Sequence, residues 1–223
     1  MQQYGQAAPY FAEAEATLRP LGSEQRLAVG AAVELGTVLA RLERFEEALE
    51  ILDRVIDEVG IGGTLPDVSG AVADAMADLI PGVVSIWLTA HERIGRWDEA
   101  GSAAEAVIAA LDPGTTQKRR VVVAEAFRLL AGAALAQEDW AEALVAWEEV
   151  IKRCDGEEDL VFVHMKAQAM GGSAKLLSDL GRVDEALAVC DEVLERFGSV
   201  SYEPVREVVT AVRNVKAELL ANG

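Results

Sequence analysis

Apolar residues recur at intervals of three and four along almost the whole chain, and the stripes they form come in pairs. Ala32, Leu35, Gly36 and Leu39 make one stripe and Ala48, Leu52, Val55 and Ile56 the next, a spacing that gathers side chains on one face of an α-helix. The second stripe returns at Trp97, Ala100, Ala104 and Val107, then at Trp140, Ala143, Trp147 and Val150, then at Val183, Ala186, Cys190 and Val193. This patterning predicts an all-α fold of about ten helices.

Between the paired stripes stands one short phrase, written four times: Glu43-Arg44-Phe45-Glu46-Glu47-Ala48, Gly95-Arg96-Trp97-Asp98-Glu99-Ala100, Glu138-Asp139-Trp140-Ala141-Glu142-Ala143 and Gly181-Arg182-Val183-Asp184-Glu185-Ala186. The closing alanines lie 52, 43 and 43 residues apart. A period of that length marks an array of stacked units, each packing on its neighbours. The phrase reads as a tight helix-helix turn. Phe45, Trp97, Trp140 and Val183 are expected to plug the corner, and Ala48, Ala100, Ala143 and Ala186 to stand where two helices approach closely.

One continuous array over residues 1–223 is expected, with a half repeat at 1–22, repeats at 24–60, 66–112, 117–155 and 159–198, and a closing helix at 202–220. The half repeat rests on Tyr4, Ala7, Phe11 and Ala14, and the closing helix on Val205, Val208, Val209, Val212, Val215 and Leu219. Three roles are open to that last stripe: part of a cap, an apolar face for self-association, or a cut edge in a longer protein. The long first interval accommodates a loop at Ile61–Pro66, followed by a helix that Pro81 kinks or interrupts.

The turn phrase resembles the tetratricopeptide repeat, whose consensus sets a Gly-x-aromatic-x-Glu-Ala turn between two antiparallel helices. The first repeat matches best: Leu35-Gly36 occupy the place of the family's Leu-Gly pair, and Phe45, Ala48, Leu52 and Val55 follow in register. The other three keep the second half, while Trp87-Leu88, Leu130-Ala131 and Ser173-Ala174 replace Leu-Gly. The consensus proline is missing apart from Pro113, one position late. The period also exceeds the family's, which is about 34, and falls in the range of HEAT and armadillo repeats. The turn phrase favours the tetratricopeptide reading, with the surplus lengthening the first helix of each pair.

The resemblance implies a right-handed superhelical solenoid of antiparallel helix pairs, with the first helices lining a concave groove. It further implies a non-catalytic scaffold that binds a peptide or helix of another protein in that groove. The alternative is an oligomerisation or sensor module of a larger regulatory protein.

Charge sharpens this picture. The chain carries −18, of which the four second helices hold −13 while the first helices are close to neutral, giving an acidic back and a neutral groove. Carried over residue by residue, the family's groove positions are Thr37 and Arg41, then Ser85, Thr89, Glu92 and Arg93. Glu125, Arg128 and Gly132 follow, then Gln168, Lys175 and Asp179, then Asn214 and Glu218. Arg41, Arg93, Arg128 and Lys175 would form a ladder facing an acidic partner or a peptide carboxylate. The competing reading is ordinary solvated charge, neutralised within helices by Glu125 with Arg128 and by Lys175 with Asp179. The family's carboxylate clamp of Lys and Asn is not reproduced.

Other classes find little support. So acidic a chain repels a phosphate backbone, which argues against nucleic acid as a partner. Residues 1–17 lack the basic and apolar segments of a signal peptide, and the apolar stretch 71–90 carries Asp74 and Asp78, which disfavour a membrane span. A cytoplasmic protein is expected. Cys154 and Cys190 are too few for a disulfide scaffold, and Cys190 sits where a buried free thiol is usual. His91 and His164 lack neighbours at metal-ligand spacing, and the acidic run Asp155–Asp159 lacks the pattern of a calcium loop, so it reads as solvated. Gly60–Gly63 and Gly171–Ser173 lack the strand and Lys of a phosphate loop; close helix packing explains the latter better. No cofactor or catalytic constellation is expected.

Overall fold

The structure is a computed structural model that describes residues 2–18, 25–59, 70–112 and 116–222. Among them run ten α-helices and no strand: α1 (Gln2–Leu18), α2 (Gln25–Arg41), α3 (Phe45–Val59), α4 (Gly70–Ile94), α5 (Trp97–Leu111), α6 (Gln117–Ala136), α7 (Trp140–Arg153), α8 (Leu160–Asp179), α9 (Val183–Phe197) and α10 (Glu203–Asn222). They gather into two compact units, Met1–Val122 and Val123–Gly223. The loop expected at Ile61–Pro66, and Pro113, lie outside the described residues. Pro81 does not interrupt its helix, since α4 runs through it. The surplus of the repeat period does sit in first helices: α4, α6 and α8 have 25, 20 and 20 residues, against 14 or 15 in α3, α5, α7 and α9.

Each repeated phrase is a chain reversal built on one left-handed residue. Glu43 (φ 60°), Gly95 (φ 75°), Glu138 (φ 60°) and Gly181 (φ 71°) occupy the same place in the four turns. At three of them two crossed hydrogen bonds close the preceding helix. Arg44 N–H donates to Leu39 C=O (3.0 Å) and Glu43 N–H to Ala40 C=O (3.0 Å), with equivalent pairs at Asp139 and Glu138 and at Arg182 and Gly181. This pattern satisfies the orphan carbonyls of a helix end and requires positive φ, which explains the glycines. The next helix starts at once, as Ala48, Ala100, Ala143 and Ala186 donate to the carbonyls of Arg44, Arg96, Asp139 and Arg182.

Those four alanines are fully buried, but the residues expected to plug the corner are not. Phe45 and Trp97 are half-buried, while Trp140 and Val183 are exposed. They begin their helices, and a side chain there points back over the turn, away from the core. The corner is closed by the alanine three positions later.

In the first unit α1 packs on α2, α2 on α3, α3 on α4 and α4 on α5, and α2 also meets α4. Gly36 stands where Leu52 presses in, since a β-carbon there would lie 2.6 Å from the leucine side chain. Each fully buried Val or Leu of this interior contributes about 1.5–3 kcal/mol. Glu15 of α1, also buried, pairs with Arg54 of α3 at 3.0 Å.

In the second unit α8 packs against α7, α9 and α10, and α9 against α10. Gly172 leaves room for the Trp147 indole, which a β-carbon would approach to 2.7 Å, and Gly171 admits Val208 of α10. Close packing thus explains this glycine pair. The acidic run after α7 is more than solvated charge: Asp155 pairs with the buried Lys166 of α8 and approaches Arg196 of α9 at 3.8 Å. Asp159 caps α8 by accepting the Val161 N–H at 2.9 Å. Both cysteines are buried free thiols, and burial pushes the Cys154 thiol up to about 11.

The closing helix corrects one expectation. Val205, Val209, Val212, Val215 and Leu219 of α10 are buried in one core with α8 and α9 residues such as Met170, Leu177 and Val193. The stripe is therefore buried within its own unit rather than exposed, and the outward side of α10 is mostly polar.

Two substitutions in the third turn should act in opposite directions. Ala143→Leu overpacks the corner and should cost about 1–3 kcal/mol. Glu138→Gly relieves a left-handed strain of about 1–2 kcal/mol, offset in part by the entropy that glycine adds to the unfolded chain, and should raise stability slightly. Urea denaturation midpoints decide both: an unchanged midpoint for Ala143→Leu removes the corner assignment, and a lowered one for Glu138→Gly removes the strain.

Candidate interaction surfaces

In the first unit the groove residues expected from sequence fall on α2 and α4. The hydroxyls of Thr37 and Thr89 are spent on their own helices, donating to the carbonyls of Val33 and Ser85 at 2.8 Å. Ser85 and Glu92 are half-buried, and Arg41 and Arg93 are exposed. Each guanidinium rests over an aromatic ring, Arg41 at 5.4 Å from the Tyr4 centroid and Arg93 at 5.5 Å from the Phe45 centroid. Such contacts contribute about 0.5–1 kcal/mol at exposed sites. They hold the cation in place and leave it free of any carboxylate among the described residues.

A cavity of about 540 Å³ opens between α3, α4 and α5 of the same unit. Trp87 and His91 form its wall, and Asp53, Asp57, Asp98 and Glu99 bring the acidic second-helix face to it. The Trp87 Nε1–H donates to Asp53 Oδ1 at 2.7 Å. His91 meets Trp87 edge-on, with centroids 5.0 Å apart. Neither imidazole nitrogen has a hydrogen-bond partner among the described residues. Burial holds its pKa below the ordinary value, against the pull of Asp53 and Glu99. The sequence shows His91 only as a histidine without metal-ligand neighbours and does not single out Asp53. The spacing of Trp87 and His91 shows one shared face, but nothing local reveals the aspartate 34 residues away.

In the second unit Glu125 and Arg128 are half-buried on α6, and both are engaged by neighbouring groups. Arg128 and Glu207 act in opposite senses on His164, whose pKa burial lowers first. That histidine lies edge-on to Tyr202, just before α10, with ring centroids 6.1 Å apart, a contact that its sequence spacing does not reveal. Gln168 and Asn214 are exposed, and Lys175 pairs with Asp179 one turn on. These last two are brought to a common feature: a cavity of about 470 Å³ whose other walls are Leu135, Trp140, Trp147, Gly172, Leu176 and Leu180. Trp140 and Leu180 stand exposed at 37% and 40%. Gln168 and Asn214 do not line it.

No helix among the described residues is long and apolar enough to cross a membrane, and no three His, Cys, Asp or Glu residues cluster as metal ligands there.

The tetratricopeptide repeat family profile matches residues 1–60 and 89–159. No curated protein sequence matches the chain. Among solved structures, it is similar to BtubC (BKLC) from P. vanneervenii, with a TM-score of 0.61 and 17% identity over 97% of this chain and 85% of that one. It is also similar to the yeast histone chaperone Hif1, described as a scaffold protein recruiting protein complexes to core histones, with a TM-score of 0.57 and 12% identity over 88% of this chain and 96% of that one. At such identities the likeness establishes the fold, an all-α array of helical repeats.

The buried histidine gives a pH prediction. An unfolded imidazole takes up its proton near pH 6.5, whereas folded His91 resists until the pH is lower. The unfolded state then binds more protons, so stability is full above that range and falls as the pH drops through it. In urea titrations between about pH 7 and pH 5, His91→Leu should lose less stability than the parent chain. An equal loss in both excludes His91 as a contributor.

Proposed function

Because this chain belongs to the tetratricopeptide repeat family, we propose that it is a non-catalytic scaffold that holds a peptide or helix of an acidic partner protein along its first helices. Proteins of this family generally act as protein interaction modules. The observation that carries the reading further is the apolar cavity beside Lys175 and Asp179. Its two tryptophans and three leucines suit an apolar anchor side chain, and aromatic pockets of this kind commonly hold the strongest contacts of an interface.

The charges beside such an anchor suit an acidic segment. The Lys175–Asp179 pair is more than half exposed on both sides. Exposed pairs contribute only about 0–1 kcal/mol, so Lys175 can exchange its partner for an incoming carboxylate at little cost. Arg41 and Arg93 rest on aromatic rings and keep their guanidinium edges for the same purpose. Shape and backbone supply the framework, and these few side chains supply the selectivity.

The test compares proteins retained from a native lysate by the parent chain and by two variants of unchanged helicity in circular dichroism. Trp140→Ala should weaken capture of the true partner by about 2 kcal/mol, roughly thirtyfold. The double reversal Arg41→Glu with Arg93→Glu should weaken it and reduce its salt dependence. Unchanged affinity in both variants, measured by calorimetry with the captured partner, would overturn the assignment of this surface.

A further inference from the structure

We propose that the corner between α9 and α10 is a binding site for an oxyanion, a carboxylate or a phosphate, carried by a partner polypeptide. A cavity of about 360 Å³ lies there, and Arg206, Arg213, Ser199, Ser201 and Thr210 give it its polar lining. No carboxylate is among its lining residues, in a chain with 38 Asp and Glu against 20 Lys and Arg. Arg206, Thr210 and Arg213 follow one another at four- and three-residue spacing, which puts them on one face of α10. Phe197 and Val209, both buried in the core shared with α8 and α9, provide a rigid floor.

The state of Arg213 points to a ligand. Every other Lys or Arg of the second unit has a carboxylate or another partner, as Lys166 has Asp155, Arg182 has Glu185 and Lys216 has Asp191. Arg213 alone has none among the described residues. With carboxylates in such excess, a cation left unpaired beside a carboxylate-free cavity is a preformed half of an ion pair. A guanidinium presents its N–H groups as a planar fork that matches a carboxylate or phosphate. The hydroxyls of Ser199 and Ser201 have no partner among the described residues and can add donors. Arg206 is held only by Glu203 at 3.3 Å in an exposed pair, which opens at small cost. The chain's overall negative charge acts weakly here, because screening limits it to about 8–10 Å; contacts inside the cavity decide affinity.

This site does not depend on the groove reading above, and its test does not involve those residues. Three probes are titrated into the full chain: inorganic phosphate, a peptide with one phosphoserine, and a peptide rich in glutamate. Amide and Arg213 Nε resonances are followed by NMR, with affinity from calorimetry. Saturable shifts confined to residues 198–202 and the Arg213 face are expected, with at least one peptide binding more tightly than phosphate alone. Arg213→Ala should lower affinity about tenfold or more, Arg213→Lys should recover part of it, and Glu203→Gln, which releases Arg206, should tighten it. Lys216→Ala changes the net charge equally, one turn along, and should leave affinity within about twofold. The proposal is overturned by the absence of saturable shifts, by equal losses in Arg213→Ala and Lys216→Ala, or by phosphate binding as tightly as both peptides.

Discussion

At four places two helices are joined by a reversal that completes within three residues, and the phase of each second helix depends on one backbone conformation. Once Glu43, Gly95, Glu138 or Gly181 adopts positive φ, the first bond of the next helix follows at a fixed interval and brings an alanine to face the helix before it. That alanine is the smallest residue able to keep helical propensity while two backbones converge. From it the stripe of buried residues runs at four, seven and eleven positions, as Ala186, Cys190, Val193 and Phe197 demonstrate. A change in the turn's conformation would rotate this stripe out of the core. Two of the four turns nevertheless tolerate glutamate at the strained position. The motif supplies part of the compensation, since Asp139 caps the Glu142 N–H and Arg44 forms a double hydrogen bond with Glu47.

The legibility of the chain follows from the range of each interaction. Stripes and turns are local, so the helices and the buried alanines could be read from spacing, and the family from its resemblance to the residues of the turn phrase. Phe45, Trp97, Trp140 and Val183 were misplaced because size suggested burial, while their position at the start of a helix directs them over the turn. The stripe on α10 was legible as apolar, but spacing alone does not say that the two helices before it, α8 and α9, cover that face. The cavity residues Asp53 and His91, and the Asp155–Lys166 pair, depend on tertiary approach and left no local trace. The groove positions of the family resemblance fall on the first helices, yet only Lys175 and Asp179 of that set line a described cavity.

Charge follows a different logic from packing. Many cations are committed near the turns, where Arg44, Arg96 and Arg182 each hold a glutamate three residues on. Exposed pairs of this kind contribute little stability, but each neutralises a cation that would otherwise face solvent. Among the described residues without a carboxylate partner are two guanidiniums resting on aromatic rings, Lys118 and Arg119 at the start of α6, and Arg213 in the second unit.

Fold and recognition therefore draw on different positions of the same helices. Packing fixes small residues at close approaches, such as Ala143 at its corner, Gly36 under Leu52 and Gly172 under Trp147. These positions have little freedom, because an added methyl group must displace a buried neighbour. The exposed side chains one or two residues away have no such constraint: Lys175 follows the buried Ala174, and Arg213 follows the buried Val212. Substitution there alters the surface without disturbing the stripe beneath, so one scaffold can change its partner while retaining every turn.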